Sequence, residues 1–101
     1  VVDRVLTRSF LLAADRAQEV WPVQDLAQLD ATAIDAVLAL RPEVVILGTG
    51  ARAVFPPPAV QAQFLQRGIG LETMDNAAAA RTFNVLVSEG RRAVAAFILP
   101  G

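Results

Sequence analysis

The pattern of apolar and polar residues is clearest along residues 41–75, where it predicts a strand, a loop, a helix and a second strand. Residues 43–47 read EVVIL and place apolar side chains on both faces, which is typical of a central strand covered on both sides. The prolines at 56–58 end that strand and suit the first turn of a helix, which we expect to extend to about residue 67. Residues 69–74 are then few enough for one strand, so the segment predicts a strand–helix–strand unit.

The first part of the chain predicts short strands. Residues 1–14 are expected to form two of them, with residues 9–14 as the firmer one. After a tight turn, residues 19–23 predict a third short strand, which Pro22 confines to a sheet edge or ends. Trp21 is expected in the core, because large aromatic side chains bury much of the apolar surface of a small protein.

Two further helices and a closing strand complete the prediction. One helix begins at Asp30 or Thr32, since either residue type can cap a helix N-terminus. The last helix spans 76–89 and begins after Asp75, whose charge suits the positive end of the helix dipole. Residues 92–99 form the closing strand. The helix residues predicted to face the core are Val60, Phe64 and Leu65 in the middle helix and Ala79, Phe83, Leu86 and Val87 in the last helix.

The composition restricts the chemistry that this chain can perform. None of its 101 residues is Cys, His, Tyr or Lys, and all nine basic residues are Arg. The thiol nucleophile, the usual zinc and copper ligands and the imidazole base are therefore missing. We expect no metal and no cofactor, and the composition argues against an enzyme. Any catalysis would have to come from Asp, Glu, Ser, Thr, Asn, Arg or the backbone.

The totals predict one globular α/β domain over residues 1–101. Apolar residues make up 54% of the chain, which is enough for a core. A net charge of −1 gives a nucleic-acid partner little electrostatic support. No apolar run reaches the ~18 residues of a membrane span, and charges at Asp3, Arg4 and Arg8 interrupt any signal peptide. We therefore expect a soluble, cytoplasmic protein.

A small-residue turn follows the predicted central strand at Gly48, Thr49 and Gly50. Its position is that of the glycine-rich turns that bind phosphate, but position 53 is Ala, so the third glycine of the dinucleotide pattern is missing. No Lys-Ser/Thr pair follows either, which argues against a nucleotide-binding loop. A structural turn and a small-anion site both remain open.

The polar residues around this turn allow two interpretations. Arg52, Arg81 and Arg91 together could form an anion pocket, or they could be scattered solvated arginines. Glu72 could form an ion pair with Arg81, or it could serve as the one acid/base candidate. The apolar, proline-rich residues 55–58 could meet a protein partner, or they could simply pack within the loop.

Three segments of the second half share a pattern with known proteins: PEVVILGTGAR, QRGIGLETMDNAAAARTFNVL and SEGRRAVAAFILP. With SFLL at residues 9–12 and Trp21, they resemble a small family of uncharacterised α/β proteins. That family includes the mitochondrial complex I assembly factor three, an adipogenesis-associated protein and many bacterial members. The residue after Asp75 is usually Thr in this family and is Asn76 here, which puts in doubt any mechanism that needs a hydroxyl group there.

The resemblance implies a three-layered fold. In it a β-hairpin and a helix cover one side of a mixed five-stranded sheet, with helices on the other side. It implies no established catalytic activity, and for the assembly-factor branch it implies a protein-binding role in building a respiratory complex. The residues that we single out as candidate contacts for a partner or ligand are Gly48, Thr49, Gly50, Arg52, Glu72, Asn76, Arg81, Thr82 and Asn84.

The leading hypothesis is a protein-binding or assembly-factor-like module without catalytic activity. Its binding surface would consist of residues 48–58 and the start of the last helix. The alternative is a small-molecule or anion-binding protein, or an enzyme, with a pocket between the Gly48–Gly50 turn and the last helix. A homodimer formed through an open sheet edge is a third hypothesis.

Overall fold

The computed structural model describes residues 9–18, 21, 23 and 26–99. The described residues form five strands, three α-helices and a short 3-10 turn at Leu26–Gln28. The strands are β1 (Phe10–Ala13), β2 (Arg16–Gln18), β3 (Val44–Gly48), β4 (Gly70–Met74) and β5 (Ala93–Phe97), and the helices are α1 (Ala31–Leu38), α2 (Pro58–Leu65) and α3 (Asn76–Ser88).

The five strands form one mixed sheet in the order β2-β1-β5-β3-β4. Strand β3 pairs in parallel with both β4 and β5, whereas β1 pairs antiparallel with β5 and with β2. The predicted fold class, α/β with a mixed five-stranded sheet, is confirmed. The β1–β2 hairpin extends the sheet and forms one of its edges, and β4 forms the other edge.

Helices cover both faces of this sheet, which explains why β3 and β5 are buried along their whole length. Helices α1 and α2 pack on one face, where Ile34, Val37 and Phe64 meet the alternate residues of the central strands. Helix α3 packs on the other face through Ala79 and Phe83. These two apolar clusters hold the three layers together.

Trp21 lies in the cluster beneath α1, as the sequence predicts, and its side chain is 2% exposed. Its indole Nε1 donates a hydrogen bond to the carbonyl oxygen of Ala33 at 3.1 Å. Since a buried indole N–H needs an acceptor, this bond fixes the position of α1 relative to the segment that follows the hairpin.

Local sequence signals set the helix starts. Of the two candidate caps of α1, Asp30 is the one used: its Oδ1 accepts a hydrogen bond from the backbone N–H of Ala33 at 2.9 Å. Asp75 caps α3 in the same way through Ala78 N–H at 2.8 Å. Helix α2 begins at Pro58, which loses nothing by lacking an N–H at that position.

Two details of the sequence prediction are wrong. Leu65 was expected to face the core and is 69% exposed, because α2 ends there and its buried face consists of Val60 and Phe64. In the predicted third strand at 19–23, the described residues Trp21 and Val23 are not in a strand, and the hairpin strand is Arg16–Gln18 instead. The remaining residues of that segment, and the strand expected within residues 1–8, lie outside the described residues.

Candidate functional site

The side-chain amide of Asn76 joins the carboxyl ends of three neighbouring strands. Its Oδ1 accepts a hydrogen bond from Gly50 N–H at 3.1 Å, just after β3, and its Nδ2 donates to the carbonyl of Ile98 at 3.1 Å, just after β5. Asn76 itself follows β4, and its backbone N–H donates to the Gly50 carbonyl at 2.8 Å. Both ends of the amide are therefore used within the fold.

Gly48 allows this close approach between the sheet and α3. A Cβ atom at Gly48 would lie 2.3 Å from Asn76 Oδ1 and 3.2 Å from Ala79 Cβ, so no other residue fits without a shift. Gly50 has a φ of 98°, a conformation that favours glycine. Packing and backbone geometry thus explain both glycines, in agreement with the structural-turn interpretation, and Asn76 occupies the space next to Gly48.

Thr49 holds the segment that follows the turn. Its hydroxyl donates a hydrogen bond to the Arg52 carbonyl at 2.6 Å and accepts one from Val54 N–H at 3.0 Å. The far end of this segment is held by the buried Pro56, whose carbonyl accepts a hydrogen bond from Gln61 Nε2 at 3.3 Å. We call residues 51–57 the β3–α2 loop, and it is fixed at both ends.

The β3–α2 loop presents large apolar side chains to solvent. Phe55 is 78% exposed and Val54 is 48% exposed, while Arg52 beside them is also exposed. The sequence identified residues 55–58 as an apolar, proline-rich edge; in the structure Phe55, Pro57 and Pro58 are exposed and Pro56 is buried. A fixed loop with exposed apolar groups can bind a partner without first becoming ordered.

The other predicted contact residues are spread over β4 and α3. The Thr82 hydroxyl donates to Met74 Sδ at 3.4 Å, which ties α3 to β4. Arg81 and Asn84 are exposed on α3, and Glu72 is exposed on β4. The expected ion pair between Glu72 and Arg81 is not found among the described residues. Whether any of these side chains contacts a ligand or partner stays a prediction.

Of the two interpretations of the three arginines, the structure excludes a pocket shared by Arg52 and Arg91, because these two residues lie at opposite ends of the parallel strands. Arg52 follows β3 at the carboxyl edge of the parallel strands. Arg91 follows α3 and lies at the opposite edge, where its Nε is 3.7 Å from Glu43 Oε1, just before β3 begins. The chain order could have indicated this separation. Residues that follow a strand and residues that follow a helix lie at opposite ends of the strands in a parallel sheet.

A second feature, which the sequence did not indicate, lies at the same end of the sheet as Arg91, where the parallel strands begin. A cleft of about 430 Å³ opens where the β1–β2 turn, the α1–β3 loop and the α3–β5 loop meet. We call it the basic cleft. Its lining includes four arginines, Arg16, Arg41, Arg91 and Arg92, together with Asp15 and apolar residues that include Leu40 and Pro42. These arginines come from three separate segments, so the cleft becomes visible only once the sheet order is known.

Comparisons with known proteins agree with the fold. A family model described as a protein of unknown function (DUF498/DUF598) matches residues 1–98. A Xanthomonas campestris protein with a solved NMR structure is 56% identical, has a TM-score of 0.90, and is matched over 98% of this chain and 75% of its own. A Bordetella pertussis protein described as a Mth938-like domain is 30% identical, with a TM-score of 0.78 and coverage of 93% and 75%.

Several curated relatives, from five vertebrates, share a name that states a role. The human NADH dehydrogenase (ubiquinone) 1 alpha subcomplex assembly factor 3 is 39% identical over 101 residues, which cover 97% of this chain and 53% of the human protein. The chain spans about half the length of the curated relatives that it matches. The family resemblance predicted from the sequence is confirmed.

Of the helices in the described ranges, none combines the length and apolar character that crossing a membrane requires. The cytoplasmic location stays a prediction.

Proposed function

This chain belongs to the DUF498/DUF598 family of proteins of unknown function, and on that premise we propose that it is a protein-binding module of the assembly-factor type, without catalytic activity. The β3–α2 loop would be its docking surface, and the partner would be a protein subunit of a larger assembly. The name of the human relative makes subunits of a respiratory NADH dehydrogenase the first candidates.

The exposed Phe55 is the observation that carries this proposal. An aromatic side chain that is 78% exposed contributes nothing to the core, yet it stands on a loop that the Thr49 hydroxyl fixes from within. Aromatic residues on rigid supports dominate the energy of many protein interfaces, because they bury a large area and lose little entropy on binding. Arg52 beside Phe55 adds a residue type that is also enriched in interfaces.

The absence of catalysis in the proposal rests on two observations. The sequence has no Cys, His, Lys or Tyr, so the commonest nucleophiles and proton carriers are missing. The polar groups of Asn76 and Thr49 at the carboxyl edge are already engaged in the hydrogen bonds that hold the turn. α/β proteins usually have a ligand crevice at the carboxyl ends of their parallel strands. In this protein those hydrogen bonds take up that position.

A capture experiment with matched variants tests the proposal. The immobilised protein is incubated with a lysate of its source organism, and bound proteins are quantified by mass spectrometry for the parent protein, Phe55→Ser, Arg52→Glu and Leu65→Ser. Leu65→Ser is the control, because Leu65 is 69% exposed, is also a large apolar residue, and lies at the far end of α2. The proposal predicts one set of proteins that binds the parent and Leu65→Ser and is lost with Phe55→Ser and Arg52→Glu.

The captured protein is then purified and titrated against the same four variants. A dissociation constant raised by about tenfold or more for Phe55→Ser, at an unchanged melting temperature, supports the docking surface. Equal binding by Phe55→Ser, Arg52→Glu and the parent protein contradicts it. Light scattering on the same samples shows whether the captured partner is a second copy of this chain, as the homodimer hypothesis requires.

A further inference from the structure

The basic cleft concentrates positive charge in a chain that is acidic overall. Four arginines and one aspartate line it, a formal charge of +3, whereas the whole chain has a net charge of −1. Like charges repel, so a bound anion would lower the free energy of this arrangement. The basic cleft lies where the parallel strands begin, whereas the β3–α2 loop lies at their carboxyl ends. It is therefore separate from the docking surface proposed above.

Arg41 adopts a left-handed backbone conformation that is energetically unfavourable for most residues other than glycine. Its φ is 54°, the one positive value among the described residues other than glycine. The residue follows the end of α1, where its N–H donates to the Leu38 carbonyl at 3.0 Å, and glycine is the residue that most often stands at such a position. Half-buried Leu40 and buried Pro42 flank Arg41 and fix it at the cleft.

Two carboxylates, Asp15 and Glu43, neutralise only part of the charge of the four arginines. Asp15 Oδ1 lies 3.5 Å from Arg16 Nε, and Glu43 Oε1 lies 3.7 Å from Arg91 Nε. Glu43 Oε1 also accepts a hydrogen bond from the backbone N–H of Arg92 at 2.8 Å, which fixes the α3–β5 loop. The guanidinium groups of Arg41 and Arg92 form no ion pair or hydrogen bond with another described residue. Two guanidinium groups in the lining are thus available to a ligand.

From these observations we propose that the basic cleft binds a phosphate group, carried by a small organic molecule or by a lipid headgroup. Guanidinium groups bind phosphate oxygens through paired, charge-assisted hydrogen bonds. With Glu43 counted beside Arg91, the formal charge at the cleft is +2, which matches a phosphate group of two negative charges. The volume of about 430 Å³ falls in the range of small-molecule sites, and the apolar wall formed by residues such as Leu40 and Pro42 suits an organic body attached to the phosphate.

Titration with pyrophosphate, followed by the backbone amide signals of the ¹⁵N-labelled protein, tests the free-phosphate form of the proposal. We expect saturable shifts at residues 15–16, 41 and 90–92, with a dissociation constant below about 1 mM. Sedimentation with phosphatidylcholine vesicles, with and without phosphatidic acid, whose phosphate monoester can carry two negative charges, tests the lipid form. Saturable binding in one of these assays supports the proposal and identifies the source of the phosphate. The absence of binding in both assays overturns it.

Arg41→Gly separates a binding role from a structural one. Glycine relieves the positive φ, so the variant should melt at a higher temperature than the parent protein while binding the probe about tenfold more weakly. Arg92→Gln should weaken binding similarly. The control Arg67→Ala removes the same charge from an exposed residue outside the cleft lining and should change the affinity by less than about twofold. Unchanged affinity in both cleft variants contradicts the proposal, and unchanged partner capture by Arg41→Gly distinguishes it from the docking function.

Discussion

Gly48 and Asn76 should be energetically coupled, because the space next to Gly48 is occupied by the Asn76 amide. A Cβ atom added at Gly48 would lie 2.3 Å from Asn76 Oδ1 and 3.2 Å from both Ala79 Cβ and Phe97 Cδ1. Gly48→Ala therefore forces the amide away from its two partners, whereas Asn76→Ala removes the obstacle. The coupling can be measured with a cycle of the two single variants and the double variant.

The structure sets the expected magnitudes. Asn76→Ala leaves Gly50 N–H and the Ile98 carbonyl without their partner, and each unsatisfied group costs ~1–3 kcal/mol, so we expect a loss of about 2–4 kcal/mol in the free energy of unfolding. Gly48→Ala overpacks the contact between β3 and α3 and should cost ~1–3 kcal/mol or more. In the double variant the 2.3 Å contact no longer exists. Its cost should therefore fall short of the sum by at least ~1 kcal/mol.

Urea unfolding gives these values directly, with the fluorescence of the single tryptophan, Trp21, as one probe and circular dichroism as the other. Coincident transitions and an unchanged m-value are required before the free energies are compared. Asn84→Ala is the control, since this asparagine is exposed on α3 and should change stability by less than ~0.5 kcal/mol. If the cost of the double variant equals the sum of the costs of Gly48→Ala and Asn76→Ala within ~0.5 kcal/mol, the two residues are not coupled and the prediction is wrong.

Three further predictions concern single residues. Arg41→Gly should raise the free energy of unfolding by ~0.5–1 kcal/mol, because relief of the positive φ exceeds the added entropy of an unfolded glycine; no gain in urea unfolding would contradict this. Asp75→Ala should cost ~1 kcal/mol through loss of the α3 cap, while the exposed Asp35→Ala in α1 should stay within ~0.5 kcal/mol; equal costs would contradict the capping role. Trp21→Phe should cost ~1–3 kcal/mol, since it removes the bond to the Ala33 carbonyl and leaves a void, and a thermal melt indistinguishable from the parent would contradict that.

Features encoded by neighbouring residues were predictable from the sequence. The run at residues 43–47 identified the central strand, because only a strand covered on both faces is apolar throughout. Asp75 was identified as a helix cap and Pro58 as a helix start because both act on backbone groups within a few residues. From residue 30 onwards the order of helices and strands followed from these local signals, whereas the hairpin strand Arg16–Gln18 did not.

Features that depend on the sheet order were not predictable in the same way. Asn76 could be identified as a helix residue, but its bond to the Ile98 carbonyl requires β5 to lie beside β3. The basic cleft combines Arg16 and Arg41 with residues from the other end of the chain. Without the sheet order, the sequence could not decide whether Arg91 lies near Arg52 or apart from it; the structure places the two at opposite ends of the parallel strands.

Partner binding through the β3–α2 loop is the proposal on which the functional interpretation of this protein depends. Hydrogen–deuterium exchange of the protein, alone and in complex with the captured partner, tests it most directly. We expect slower exchange in the complex at the backbone amides of residues 51–55. Exchange at residues 15–16 and 90–92 of the basic cleft should be unchanged. Unchanged exchange across the loop, in a complex shown by its mass to be fully formed, would contradict the claim.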